Sequence, residues 1–391
     1  MKQLKTILDN LFDLEKPASF YMLTAFLFFI QFSIFVCYFI FCYLILGLVF
    51  YSIKNRKWPP LPSYFVYFMF FILFTLISTV FSIDKINSLK DNKDIFIFLL
   101  IPVFMLVINS MKKLIVSLIT LLISALLSSL VGIFDIIKQG ISLDHRLKGF
   151  TSHWMTYSGL LMFIFIFFFV YIFYEKKKNH RLLIFVSLIV LLASILFSQT
   201  RSVWVGIGFS LFLFLVFYKP KTLFYLIPVV FILIYLTPES VKQRMYSIFD
   251  LKNHSNQDRI HMIYTGFNIF KAYPLTGVGC NNIEKVYPDY QHPSATQTNP
   301  HLHNNFLQIL AERGIFTLIS LLAAFIAVLI GLIVKIKRSR NLDKAIGTGA
   351  LFVFIGFLAA GLFEYNFGDS EIKFLLFYFI SIPFIPHINL K

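Results

Sequence analysis

Charged residues are scarce in this chain: they make up 14% of its 391 residues, whereas 58% are hydrophobic and 50 residues are Phe. A single soluble core stops growing near about 250–300 residues and still needs a polar shell. A soluble fold of this length therefore cannot hide so much apolar surface, but a lipid bilayer can act as its solvent. The composition predicts an all-α integral membrane protein.

Cysteine is equally scarce, with Cys37 and Cys42 in the first apolar stretch and Cys280 far away. Three scattered cysteines form neither a disulfide framework nor a zinc spacing. The segment Met1–Lys16 has no small-residue cleavage pattern after a short apolar core, so a cleaved signal peptide is not expected. The net charge of +16 comes without a basic patch on a soluble surface, so nucleic acid is not an expected partner.

Long apolar runs dominate the chain, and a membrane-spanning helix needs roughly 17–25 such residues. The run 20–51 would be about 48 Å long as one helix, which exceeds a hydrocarbon core of about 30 Å. A hairpin that turns near Gln31–Ser33 fits better, although a single span stays open. With the hairpin we predict twelve spans: 17–32, 34–53, 62–81, 94–110, 114–137, 155–174, 182–199, 202–218, 222–237, 315–334, 345–363 and 372–388.

The distribution of charge agrees with the twelve-span topology. With the N-terminus inside, the cytoplasmic segments hold 20 basic and 5 acidic residues, and the opposite segments hold 15 basic and 14 acidic residues. This bias is what the positive-inside rule requires of an inner-membrane protein. The predicted layout is spans one to nine in 1–237, a periplasmic loop in 238–314, and spans ten to twelve in 315–391.

The middles of the predicted spans carry essentially no charged residues. Intramembrane charges usually mark ion pathways, so their absence argues against a proton- or sodium-coupled carrier. Polar chemistry instead concentrates in the outer segments 146–153, 198–204, 258–259 and 301–314. The large loop should contain a helix over 258–271 that Ser255–Asn256 cap, and a second helix capped by Asn304 that leads into span ten.

Two arginines are candidate anion ligands. Arg201 lies between two apolar spans, on the side where positive charge is scarce, and it could either bind a phosphate or anchor in lipid headgroups beside Trp204. The predicted helix start places Arg259 in a first helical turn, where a cation opposes the helix dipole but a bound anion would gain. The alternative for Arg259 is a solvated surface residue.

His303 is a candidate proton acceptor, since an unperturbed imidazole titrates near ~6.5. It could instead face headgroups or cap the following helix. A metal site made by His301, His303, His292 and Asp289 is a further alternative, but their spacing matches no zinc pattern. Gln308 and Glu312 are four residues apart on one helix face and could be a structural pair.

These segments together resemble the O-antigen ligase family, which also includes related polymerases and protein O-oligosaccharyltransferases. The resemblance covers about 148–334. It is carried by Gln199-Thr200-Arg201-Ser202-Val203-Trp204, Asp258-Arg259, Pro274-Leu275-Thr276-Gly277-Val278-Gly279, His303-Asn304-Asn305-Phe306-Leu307-Gln308 and Ala311-Glu312-Arg313-Gly314.

The resemblance implies a metal-independent transfer of a glycan from undecaprenyl diphosphate, on the periplasmic face of the bacterial inner membrane. It implies that Arg201 and Arg259 hold the diphosphate and that His303 serves the acceptor, with Arg146 as a less distinctive ligand. Asn304, Gln308 and Glu312 would support the site. Because the donor is already activated, no nucleotide or other cofactor is expected.

Several functions remain open at this point. Within the family, the acceptor could be lipid A–core, a growing glycan or a protein, and a ligase that uses lipid A–core is the favoured interpretation. A flippase or exporter of lipid-linked sugars is the alternative of another class, but it would need charges in several spans. A scaffold without chemistry would not require Arg201, Arg259 and His303 to converge.

Overall fold

A computed structural model describes residues 12–385 of the chain, except 141, 143–144, 226–234, 236 and 296. Helices account for the regular structure of these residues, and the described part contains no strand, so the predicted all-α fold is confirmed. The α-helices are α1 Pro17–Phe29, α2 Ile34–Asn55, α3 Phe65–Val80, α4 Lys85–Asp91, α5 Leu100–Val107, α6 Met111–Gln139, α7 Trp154–Tyr171, α8 Lys178–Phe197, α9 Arg201–Tyr218, α10 Glu239–Tyr246, α11 His254–Ala272, α12 Ile283–Tyr290, α13 Asn305–Arg338, α14 Asn341–Ala360 and α15 Ser370–Ser381.

Seven of these helices, α2, α6, α7, α8, α9, α13 and α14, are long and apolar enough to cross a membrane, and α1 and α3 are shorter apolar helices. The chain is therefore a multi-pass membrane protein. Predicted span four is less regular than expected, since a 3₁₀ helix over Asn92–Leu99 precedes α5. Predicted span nine, 222–237, lies mostly outside the described residues.

The apolar run 20–51 is broken into two packed helices, as the hairpin prediction required. The chain turns between Phe29 and Ile34, and the side chain of Ser33 caps α2 by accepting a hydrogen bond from the Val36 amide. The Cys37 thiol then donates to the Phe26 carbonyl across the two helices. The turn shortens α1 to 13 residues, which span about 20 Å at 1.5 Å per residue.

Helices α7 and α14 occupy the middle of the bundle, since 72% of the apolar window of each is buried. Both helices also connect its two ends. Helix α7 begins directly after His153, whereas α14 runs in the opposite sense and finishes at Ala360. The loop segments that follow α14 and precede α7 therefore meet at one end of the bundle, where the candidate site lies.

Helix α13 is interrupted at Gly314, whose φ of 79° and ψ of 179° break the helical ladder. A break of this kind leaves carbonyl groups without helical partners. The segment Pro274–Gly279 supplies the missing bonds: the Val278 amide donates to Ala311 O at 3.1 Å and the Gly279 amide donates to Glu312 O at 2.7 Å. In return, the Ile315 amide donates to Pro274 O at 3.0 Å.

This close approach explains the glycines of the Pro274–Gly279 segment. Gly277 has a φ of +64°, and a Cβ added there would lie 2.2 Å from the backbone carbon of Glu312. Backbone cannot give way as a flexible side chain can, so both the conformation and the space require glycine. The Pro274–Gly279 segment therefore fixes the large loop to α13 at the helix break.

We predict that Gly277→Ala destabilises the protein by about 1–3 kcal/mol, because it combines a strained backbone with a clash. The measurement is thermal unfolding of the purified protein in detergent. The matched control is Gly208→Ala in α9, where an added Cβ meets nothing within 4 Å. Equal unfolding temperatures for the two variants would contradict the proposed close packing of Gly277 against α13.

Candidate functional site

Arginine side chains from four segments converge at one end of the bundle. They come from the segment before α7 (Arg146), the start of α9 (Arg201), α10 (Arg244) and α11 (Arg259). Arg201 lies close enough to feel the positive charge of the other three. Like charges repel, so this convergence costs free energy unless an anion binds among them.

Arg201 is held at the tight turn between α8 and α9, and its residue is 4% exposed. One terminal nitrogen donates to Ser247 O at 2.9 Å and to Ser247 Oγ at 3.2 Å, and the other donates to Ser255 Oγ at 2.8 Å. The buried Nε has no hydrogen-bond partner in the described part of the chain. The alternative of a headgroup anchor is therefore wrong, because the side chain points into the protein.

Arg259 occupies a different helical position from the one predicted. Helix α11 begins at His254, and Asn253 caps it by accepting a hydrogen bond from the Ser255 amide. Arg259 therefore lies in the second turn, and the argument from the first-turn dipole does not apply. Its guanidinium donates no hydrogen bond to any residue that the structure describes, while the negative charge of Glu364 acts on it.

Arg244 is a member of the cluster that sequence reasoning missed. Burial, together with the positive charges of Arg146 and Arg259, lowers the pKa of Arg244 to about 10. Its Nε donates to Gln199 O at 3.5 Å, at the turn that carries Arg201. Arg146 lies at the edge of the cluster, with its guanidinium 4.8 Å from the ring centre of Trp154.

A pocket of about 240 Å³ joins the three principal candidates, Arg201, Arg259 and His303. Much of its remaining wall is apolar, with contributions from Val205, Ile248, Leu251, Ile260, Ile263, Leu302, Leu362 and Phe363. The pocket thus combines cations with an aliphatic lining. This combination suits a ligand that has both an anionic group and a hydrocarbon part.

His303 contacts a carboxylate at the back of this pocket. Its Nδ1 lies 2.8 Å from Oε1 of Glu364, whose side chain is 10% exposed. Burial by itself would raise the pKa of Glu364, but the hydrogen bond and charge of His303, with His301 and Arg259, bring it below its usual value. An ionised carboxylate can only accept, so Nδ1 of His303 donates to Glu364, and in the neutral form of this imidazole Nε2 is the nitrogen that can accept a proton.

Hydrogen bonds of two asparagines link the segment that carries His303 to the segment that carries Glu364. Asn304 caps α13 as predicted, accepting from the Phe306 and Leu307 amides, and its Nδ2 donates to Leu362 O at 2.9 Å. The Asn305 amide donates to Gly361 O at 2.8 Å, and its side chain bonds to Asn366 and to the Phe367 amide. His303 itself has a φ of 46°, which is uncommon for a residue other than glycine.

Gln308 and Glu312 form the structural pair that their spacing predicted. Gln308 Nε2 donates to Glu312 Oε1 at 2.9 Å, and Gln308 Oε1 accepts from the Leu302 amide at 2.7 Å. Glu312 Oε1 also accepts from the Asn281 amide at 2.8 Å. Both residues therefore fix nearby backbone segments through hydrogen bonds, and neither residue lines the pocket.

The structure groups the possible metal ligands differently from the alternative that the sequence left open. His292 stacks on His261 with ring centres 4.7 Å apart, so it does not belong with His303. His301, His303 and Glu364 instead have ligand atoms within 4.8 Å of one another. Arg259 and the other arginines make this surrounding unfavourable for a dication, and Glu364 is already bonded to His303. An imidazole beside an ionised carboxylate is an arrangement that can carry out acid–base chemistry.

A comparison with protein families matches residues 186–322 to the family described as O-antigen ligase. This region of the chain is similar to the O-antigen ligase family. The family comprises glycosyltransferase-like ligases and polymerases, whose substrates are lipid-linked glycans. No curated protein matches the chain.

The O-antigen ligase region carries most of the cluster but not all of it. It includes Arg201, Arg244, Arg259 and His303, whereas Arg146 and Glu364 lie outside it. Glu364 was missed because its segment, 364–371, is short and lacks a motif. The signal that could have found it is position, since a carboxylate in an outer segment beside an apolar helix end is costly to bury without a partner.

We predict that Arg244→Ala weakens the binding of inorganic diphosphate to the purified protein by about threefold to tenfold, because the variant removes a positive charge close to Arg201. Calorimetric titration in detergent measures the dissociation constant. Lys242→Ala is the matched control, because Lys242 belongs to the same helix but pairs with Glu239 at 3.9 Å. Equal affinities for the two variants would remove Arg244 from the anion site.

Proposed function

We propose that this protein is an O-antigen ligase, which transfers a glycan from undecaprenyl diphosphate to a lipid A–core acceptor. The observation that carries this proposal is the single pocket formed by Arg201, Arg259 and His303. It supplies cations for a diphosphate and a base for a hydroxyl group. Its aliphatic wall suits the prenyl chain that accompanies the diphosphate.

The arginines would act on the leaving group. As the bond between the anomeric carbon and the diphosphate oxygen breaks, that bond's electron pair moves onto the diphosphate. Fixed guanidinium groups stabilise the developing charge without having to reorganise. The hydrogen bonds of Arg201 to neutral serine oxygens orient its guanidinium and leave its charge uncompensated. Arg146 and Arg244 would add to the same positive field.

His303 would act on the acceptor. The acceptor hydroxyl oxygen forms the new bond to the anomeric carbon while its proton passes to Nε2 of His303. Glu364 would orient the imidazole through Nδ1 and stabilise the imidazolium as it forms. A direct attack of this kind inverts the anomeric configuration and needs no covalent intermediate. The arrangement requires no metal and no nucleotide cofactor.

The proposed setting is the bacterial inner membrane, with twelve spans and the site on the periplasmic face. The membrane regions are 1–237 and 315–391, and 238–314 is the periplasmic loop. The uneven distribution of basic residues supports this orientation. The donor would reach the pocket from the bilayer, and the loop helices α10 and α11 would lie over it.

The test is transfer by the purified protein from a lipid-diphosphate-linked glycan to lipid A–core, to a growing glycan or to a protein acceptor, each with and without chelator. We expect transfer that survives chelation and that Arg201→Ala or His303→Ala reduces by at least about 10²-fold. Arg338→Ala, at the far end of α13, is the control. Transfer only to a growing glycan or to a protein would reassign the acceptor, and full activity of His303→Ala would overturn the mechanism.

We further predict that Glu364→Gln lowers the turnover rate by about 10²–10⁴-fold while the KM for the donor changes little, because the amide no longer stabilises the imidazolium. Glu364→Asp keeps the carboxylate and should retain more activity than Glu364→Gln, which keeps the side-chain length but loses the charge. A turnover rate of Glu364→Gln equal to that of the wild type, or a rate of Glu364→Asp no higher than that of Glu364→Gln, would exclude the positioning role.

A further inference from the structure

A second cavity lies at the opposite end of the bundle from the arginine pocket. Helix α14 shows the separation, because Leu342 and Ile346 near its start line the cavity whereas Leu362, just after its end, lines the arginine pocket. Twenty residues of helix cover about 30 Å. The second cavity therefore plays no part in the proposed transfer reaction.

The cavity is apolar inside and polar at its rim. Its volume is about 510 Å³, and its walls come from α6, α7, α8 and α14, including Leu118, Ile119 and Ile184. Ile119 is 48% exposed, so the cavity opens on the side where lipid surrounds the bundle. Glu175, Lys177 and His180 lie at the polar rim, where α7 gives way to α8.

The charge at the rim favours an anion. Glu175 is occupied within the protein, because one carboxylate oxygen accepts from the Lys177 amide at 2.9 Å and the other lies 3.6 Å from His180 Nδ1. On the neighbouring helix, Asp343 feels the positive charge of Lys335. The segment 176–181 contains four exposed basic residues, Lys176, Lys177, Lys178 and Arg181. These residues leave the rim of the cavity positively charged.

We propose that this cavity binds an anionic phospholipid, with an acyl chain between α6, α7, α8 and α14 and the headgroup phosphate at Lys177. Basic pockets between membrane helices bind anionic headgroups in this way, and each nearby cation adds to the attraction. The apolar walls exclude a water-soluble anion as the occupant. A bound acyl chain would fill a gap that the side chains of the four helices leave open.

Native mass spectrometry of the full-length protein in detergent tests the proposal. The probes are phosphatidylglycerol and phosphatidylethanolamine with identical acyl chains. We expect the first phosphatidylglycerol molecule to bind about fivefold tighter than phosphatidylethanolamine, and Lys177→Ala to remove most of this preference. Lys337→Ala is the matched control, because Lys337 is an exposed lysine at the same end of the bundle but outside the cavity.

A second variant tests the cavity itself. Ile119→Trp places a bulky ring in its opening from a half-exposed position and should weaken the binding of both lipids at least fivefold. Ile115→Trp, one turn earlier on α6, provides the same test if Ile119→Trp does not elute as a folded protein. Equal binding of the two lipids to the wild type, or unchanged binding to the tryptophan variants, would overturn the proposal.

Discussion

One end of this molecule is organised around the positive charge of Arg201, which pairs with no carboxylate among the described residues. Arg201 is buried, yet its hydrogen bonds go to a serine carbonyl and two serine hydroxyl groups. Arg244 and Arg259 bring further positive charge to the same place. Neutral acceptors orient guanidinium groups without cancelling their charge, so the pocket keeps a field that an anion can use. An ion pair within the protein would have cancelled this positive potential.

The network that shapes the pocket is largely separate from the groups that face it, and Asn304 belongs to both. Gln308 and Glu312 hold the Leu302 and Asn281 amides, and the Pro274–Gly279 segment supplies donors to the break in α13. Asn304 and Asn305 then draw the loop after α14 against His303. Such a division is expected where reactive groups need fixed positions but cannot all satisfy one another. Sequence motifs near a site can therefore stabilise the backbone around it without facing the pocket.

Much of the fold was accessible before the structure. Apolar runs of membrane length located the helices, and the break near Gln31–Ser33 followed from comparing the length of one run with a bilayer. The Asn304 cap and the Gln308–Glu312 pair were also predictable, because capping and four-residue spacing are local. The start of α11 was misplaced by four residues, since several residues in 253–258 can cap a helix and only packing chooses among them.

The sequence by itself determined that this is a multi-pass helical membrane protein, and it indicated Arg201, Arg259 and His303 as candidates, because composition and local motifs need no partner to be read. The tertiary structure decided which groups meet. It joined Glu364 to His303 across 61 residues, added Arg244 to the arginines and separated His292 from His303. Such pairings depend on how distant loops fold over the bundle end, and local spacing carries no information about them.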